Sequence, residues 1–78
     1  MNLTDQTLID FLKNTLNIED QIDPETELFS SGLLDSVAMM NVIAFVEETG
    51  RIEVYPGDVT LDNFDSVERI VRYLEGQR

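Results

Sequence analysis

Apolar positions along this chain fall into three periodic stretches separated by polar or turn-rich ones. In the first, Leu8, Ile9, Phe11, Leu12 and Leu16 recur at helical spacing, and Thr4 or Asn2 is available to cap the start. "NIEDQIDPETELFSSG" (17–32) then breaks the periodicity with Pro24, two serines and Gly32, and reads as a long loop. Loops of that length are usually functional or disordered. Ile18, Ile22, Leu28 and Phe29 are spaced along it as anchors, which favours an ordered one.

The second stretch is the most apolar. From Val37 to Val46 only Asn41 is polar. A helix is expected to start at Asp35 or Ser36 and to stop near Gly50, taken as the residue just past its end. On a helical wheel Met39, Met40, Ile43 and Val46 share one side, with Val42 at its edge, and that side is expected to face the core. Val37, Asn41, Ala44 and Glu48 lie on another stripe, at i, i+4, i+7 and i+11. It mixes small apolar groups with polar ones, as a docking site does. A bundle of few elements cannot surround one helix, so part of this apolar surface should stay exposed.

"RIEVYPGDV" (51–59) is broken by Pro56-Gly57 and should be extended or turn-like, and "TLDNF" (60–64) has room for one short helical turn. "DSVE" (65–68) has the form of a capping box, with Asp65 as cap and Glu68 three residues on. Val67, Ile70, Val71 and Leu74 then make a regular stripe. The pattern predicts an all-α fold, a small four-helix bundle of three main helices plus a short third helix, in one domain spanning 1–78.

Composition narrows the chemistry. A chain of 78 residues buries one modest core and cannot also wall off a deep catalytic pocket. It has no cysteine and no histidine, so it lacks a thiolate nucleophile, the usual neutral-pH general base and the usual zinc ligands. No catalytic residue and no metal ligand is assigned. A calcium loop starting at Asp23 fails on spacing, since Leu28 and Leu34 occupy the glycine and bidentate-acid positions. The N-terminus has neither the basic nor the apolar region of a signal peptide, and no stretch reaches the roughly 20 apolar residues of a membrane span. A cytoplasmic monomer without membrane insertion is the expectation.

The net charge of −11, from 16 acids against 5 bases, argues against nucleic acid and anionic membranes as partners. No base lies between Lys13 and Arg51, where Glu19, Asp20, Asp23, Glu25, Glu27, Asp35, Glu47 and Glu48 all fall. This is either a solvated acidic face or a docking surface for basic partners.

"GLLDSVAMMNVIAFVEE" (32–48) joins these threads at Ser36. A serine after an aspartate at a helix start is ordinarily a cap, and Ser66 in "DSVERI" is the internal control for that reading. Ser36 differs in what surrounds it: a glycine-containing acidic loop before it and a partner-like stripe after it. A helix N-terminus also favours an attached phosphate, through its free N–H groups and the positive end of its dipole.

"ELFSSGLLDSVAMMNVIAFVEETGRIEV", with "DPETELF" before it and "NFDSVERIVRYL" after it, resembles the acyl and peptidyl carrier proteins over essentially the whole chain. That family carries an Asp-Ser-Leu signature at the start of its second helix. The resemblance implies that Ser36 is esterified by 4′-phosphopantetheine, given by coenzyme A through a phosphopantetheinyl transferase, with Asp35 as the adjacent motif acid. The arm's thiol would hold acyl or aminoacyl groups as thioesters. An acyl- or aminoacyl-activating ligase would load it, and synthase enzymes of fatty-acid, polyketide or nonribosomal-peptide type would use it. Partner-facing positions of the family fall on Val37, Asn41, Ala44, Glu47 and Glu48. Val37 replaces the signature leucine, and the departures at Met39, Met40 and Asn41 point away from housekeeping fatty-acid synthesis; "GLLDS" and "NFDSVERI" look more like free-standing carriers of specialised pathways, aminoacyl carriers among them. The alternative is an acidic helical interaction module that is never modified.

Overall fold

The computed structural model describes residues 3–77. Helix α1 spans Asp5–Asn14, α2 Ser36–Gly50, α3 Leu61–Phe64 and α4 Val67–Gly76, with a 3₁₀ turn at Pro56–Asp58 before α3. Among the described residues there is no strand. The expected bundle of three main helices and one short one is what forms.

Thr4 caps α1, its hydroxyl accepting the Thr7 N–H at 3.1 Å. Asn2, the other candidate, lies outside the described residues. Leu8, Ile9 and Leu12 are the buried face of α1, which packs on α4. The chain then leaves the helix through Asn17, at φ 56, a left-handed conformation that asparagine tolerates better than most residues.

Residues 15–35 form an ordered loop, as its apolar anchors predict. Ile22, Leu28 and Leu34 are buried in the core, and Ile18 and Phe29 pack against it. Asp23 and Thr26 close the turn around Pro24 through reciprocal bonds: the Thr26 Oγ1 accepts the Asp23 N–H at 3.0 Å and donates to Asp23 Oδ1 at 3.2 Å, and the same Oδ1 accepts the Glu25 N–H at 2.9 Å.

Helix α2 turns inward most of the side expected, with Met40 as the exception. Val42 and Val46 are its fully buried residues, flanked by the partly buried Ala38, Met39, Ile43 and Phe45. Met40, placed in the core by the wheel, is 71% exposed. The cause is α1: Phe11 stacks on Phe45 with ring centroids 4.1 Å apart, and this contact rotates the buried arc away from Met40. The end of α2 also differs. Gly50 is its last helical residue, and the left-handed position falls on Arg51, at φ 55. Glycine at 50 has a packing reason instead, since a Cβ there would sit 3.3 Å from the Leu74 Cδ2.

Phe64 of α3 is fully buried and tilts against Tyr73 of α4 at 5.5 Å between ring centroids. The Tyr73 hydroxyl donates to Asp58 Oδ2 at 2.7 Å; burial first, and then this bond to a carboxylate, push its pKa up to about 12. Tyr73 joins Val67, Ile70 and Leu74 on the buried face of α4, while Val71 is only partly covered.

The capping box expected at Asp65 and Glu68 does not form. Ser66 is the cap, its Oγ accepting the Arg69 N–H at 3.1 Å, and the Glu68 carboxylate pairs with Arg72 at 2.8 Å. Asp65 is drawn away because three donors from the long loop compete for its oxygens.

Candidate functional site

Ser36 is the first residue of α2, and it is exposed. The preceding Asp35 holds an extended backbone conformation and acts as the cap, its Oδ1 accepting the Ala38 N–H at 2.8 Å. That division leaves the Ser36 hydroxyl out of the capping and pointed at no obligatory partner. The amides of Ser36 and Val37 belong to the first helical turn, whose N–H groups have no carbonyl four residues back. A phosphate esterified to Ser36 Oγ would therefore meet two unengaged donors and the positive end of a 15-residue helix dipole. The site fits a phosphodiester.

Further along α2, the stripe read from the sequence is at the surface. Val37 is 67% exposed, and Asn41, Ala44 and Glu48 are exposed with it. Met40 extends this surface, a position the wheel had assigned to the core. Two shallow grooves run beside the stripe where α2 meets α1 and the loop. One, of about 340 Å³, is lined by Leu16, Ile18, Leu33, Leu34, Val37, Ala38 and Asn41 among others. The second, of about 420 Å³, continues along Phe11, Leu16, Asn41, Ala44, Phe45 and Glu48.

Glu47 stands apart from the other expected partner residues. It is half-buried, and its Oε2 accepts the Val54 N–H at 2.8 Å, pinning the extended 52–55 segment against α2. Its charge has a structural task, and reversing it would unfasten that segment. Of the two glutamates, Glu48 carries the free charge. Glu19, Asp20, Asp23, Glu25 and Glu27 are likewise exposed on the loop leading to Ser36.

That loop is held by a contact the sequence reading did not find. Asp65, only 4% exposed, accepts the Phe29 N–H at 2.8 Å and the Ser30 N–H at 2.9 Å on Oδ1, and the Ser30 hydroxyl at 2.6 Å on Oδ2. Burial pushes its carboxyl up. The Ser30 hydroxyl and amide, the Phe29 amide and the Arg69 charge outweigh that and hold it below the ordinary carboxylate range. Two backbone bonds flank the contact, from Leu28 N–H to the Asp65 carbonyl at 2.8 Å and from Glu68 N–H to the Pro24 carbonyl at 2.9 Å. Local sequence offers no signal for this link, because its partners are 35 and 36 residues apart.

A family model described as a phosphopantetheine attachment site matches residues 6–74. No curated protein matches the chain.

Proposed function

Because this chain belongs to the phosphopantetheine attachment-site family, a domain that bears 4′-phosphopantetheine covalently, we propose that Ser36 is the residue that carries the arm. The chain is a carrier and not a catalyst; the arm supplies a thiol on which acyl groups are held as thioesters. The protein's own share is to present an accessible hydroxyl, seat the phosphodiester at the α2 N-terminus and offer partners a surface beside it.

The observation that carries the assignment is the exposed Ser36 hydroxyl left free by an aspartate that does the capping. Ser66, with the same neighbours in sequence, is buried and spends its hydroxyl on the Arg69 amide. Val37, Asn41, Ala44 and Glu48 form the surface that a phosphopantetheinyl transferase, an acyl- or aminoacyl-activating ligase and downstream synthase enzymes would meet. The cargo is an acyl or aminoacyl group of fatty-acid, polyketide or nonribosomal-peptide type, and one domain and one copy suffice for the task.

Incubation with coenzyme A, magnesium and a phosphopantetheinyl transferase tests the assignment by intact mass. Wild type and Ser66→Ala should each gain one arm, and Ser36→Ala none. An arm on Ser36→Ala would move the site elsewhere. A wild type that stays unmodified beside a modified control carrier would leave the acidic interaction module as the function.

A further inference from the structure

We propose that Asp65 is a positioning residue for the modification of Ser36: by clamping Phe29 and Ser30 it sets the loop that delivers Ser36 to the transferase. This inference rests on Ser36 being the attachment site.

The physical path is short and continuous. Asp65 takes three bonds from two consecutive loop residues, at 2.6–2.9 Å, and both of its carboxylate oxygens are used. Bonds to an ionised acceptor are roughly twice as strong as neutral ones. From the clamped pair the chain reaches Ser36 in six residues, and each step is tied. The Gly32 N–H donates to the Phe29 carbonyl at 3.1 Å, and the Leu34 N–H to the Leu28 carbonyl at 2.8 Å. The Leu33 N–H donates to Ser31 Oγ at 3.3 Å, and that hydroxyl donates onward to the Glu27 carbonyl. Asp35 then caps α2.

Gly32, at φ 82, sits in the middle of this path in a conformation that other residues adopt only under strain. A turn of that kind holds its shape when its ends are fixed. Leu34 anchors the α2 side and Leu28 the other by burial, and the Asp65 carboxylate fixes the backbone that follows Leu28, at Phe29 and Ser30. Without the clamp, the exposed serines and the glycine have little apolar surface to hold them, and the loop samples other conformations.

A carrier whose competent loop conformation is only partly populated shows a weaker apparent affinity for the transferase, in proportion to that fraction. Once bound, the hydroxyl is placed as before. The expected signature is therefore a raised KM for the carrier with kcat nearly unchanged.

The test is steady-state transfer from coenzyme A to five purified proteins: wild type, Asp65→Asn, Ser30→Ala, the double variant of these two, and Tyr73→Phe. Asp65→Asn should raise KM about tenfold, equivalent to about 1.4 kcal/mol, and should still reach complete modification. Ser30→Ala removes one donor at an exposed position and should move KM the same way by less. The double variant should fall short of the product of the two effects, because both act on one clamp. Tyr73→Phe also loses a buried hydrogen bond to a carboxylate, but away from the loop, and should leave KM at the wild-type value.

A wild-type KM in both Asp65→Asn and Ser30→Ala overturns the proposal, as does a Tyr73→Phe KM raised as far as that of Asp65→Asn. If Asp65→Asn does not fold, Ser30→Ala alone decides. Failure of the parent assignment looks different: the wild type then gains no mass at Ser36, and the positioning role falls with it.

Discussion

Asp-Ser-Val occurs twice in this chain, at 35–37 and 65–67, and each copy opens a helix. In the first, the aspartate caps α2 and the serine is left at the surface. In the second, the serine caps α4 and the aspartate is buried under three bonds from the long loop. Residue identity sets what each side chain can do at a helix start; the tertiary surroundings choose which one does it. The two copies are also linked, because the aspartate of the second holds the loop that leads to the serine of the first. A shift of one residue in the capping position separates an exposed hydroxyl from one engaged in a cap.

The two aspartates should differ most in stability. Asp65→Ala leaves the part-buried Phe29 and Ser30 amides and the Ser30 hydroxyl without their acceptor and should cost about 1–3 kcal/mol. At about 4–8 °C per kcal/mol for a domain of this size, the melting temperature should fall markedly. Asp35→Ala removes one exposed cap bond and should cost about 1 kcal/mol. Thermal melts of the two variants side by side check the order. Equal losses would mean that the loop clamp is no stronger than an ordinary cap, and the contrast between the copies would collapse.

Acid titration sharpens the same contrast. The folded pKa of Asp65 is lowered, so its stabilisation is present above the unfolded carboxylate value of about 3.9 and is lost as pH falls through the folded value. Asp65→Asn should therefore flatten the acid limb of stability against pH. Tyr73 provides the opposite limb. Its pKa is raised to about 12, so its contribution is present below about 10 and is lost as pH climbs through the folded value. Asp65→Asn should leave that alkaline limb unchanged. Denaturant melts across pH measure both, and an acid limb identical in the wild type and Asp65→Asn would refute the clamp's charge dependence.

Most of the fold was legible because the core follows helical periodicity. Leu8, Leu12, Ile70 and Leu74 recur every three or four residues, and the anchors of the loop are isolated apolar residues in a polar run. Ser36 stood out as the candidate site through its setting and the family resemblance, and it is the residue proposed to carry the arm. What failed was fine rotation and the choice of cap. An almost uniformly apolar helix carries little information about which side faces inward, so Met40 was misplaced until the Phe11–Phe45 stack fixed the answer. "DSVE" satisfies a local capping rule, but the rule cannot anticipate donors arriving from residues 29 and 30. Glu47 and Glu48 are neighbours of one type, and only the position of the Val54 amide separates the tied charge from the free one.

Charge distinguishes the surroundings of the two copies as well. The first lies within a stretch of eight acids and no base, from residue 14 to 50, whereas Arg69 and Arg72 follow the second closely. Like-charge repulsion in that stretch opposes the compact state, and screening should relieve it. Moderate salt or millimolar divalent cations should raise the melting temperature, by less than the Asp65 substitution lowers it. The same field should attract basic partners, so Glu48→Lys should slow transfer to Ser36 at low salt and lose its effect at high salt. Glu47→Lys is expected to destabilise as well, through the Val54 amide. Transfer rates across a salt series check this, and a Glu48→Lys rate equal to wild type at low salt would remove the acidic stripe from the docking surface.

The smallest expected effect is the most specific to the comparison. If Ser36 were the cap of α2, replacing it with alanine would cost about 1 kcal/mol. Asp35 does that work, however, and the Ser36 side chain is exposed within the first turn. Alanine has the higher helix propensity, since it does not compete with the backbone for hydrogen bonds. Ser36→Ala should therefore change stability by no more than about 0.5 kcal/mol in either direction, as exposed substitutions away from special features do. Ser66→Ala removes a buried cap oxygen from the Arg69 amide and should cost about 1 kcal/mol or somewhat more. Urea titration of the unmodified proteins measures the pair, with equal m-values as the sign that only stability has moved. The two substitutions then act in opposition: one abolishes modification and leaves the fold untouched, and the other weakens the fold and leaves modification intact. A Ser36→Ala protein as destabilised as Ser66→Ala would show that the Ser36 hydroxyl is already engaged in holding α2, and its availability for the arm would have to be reargued.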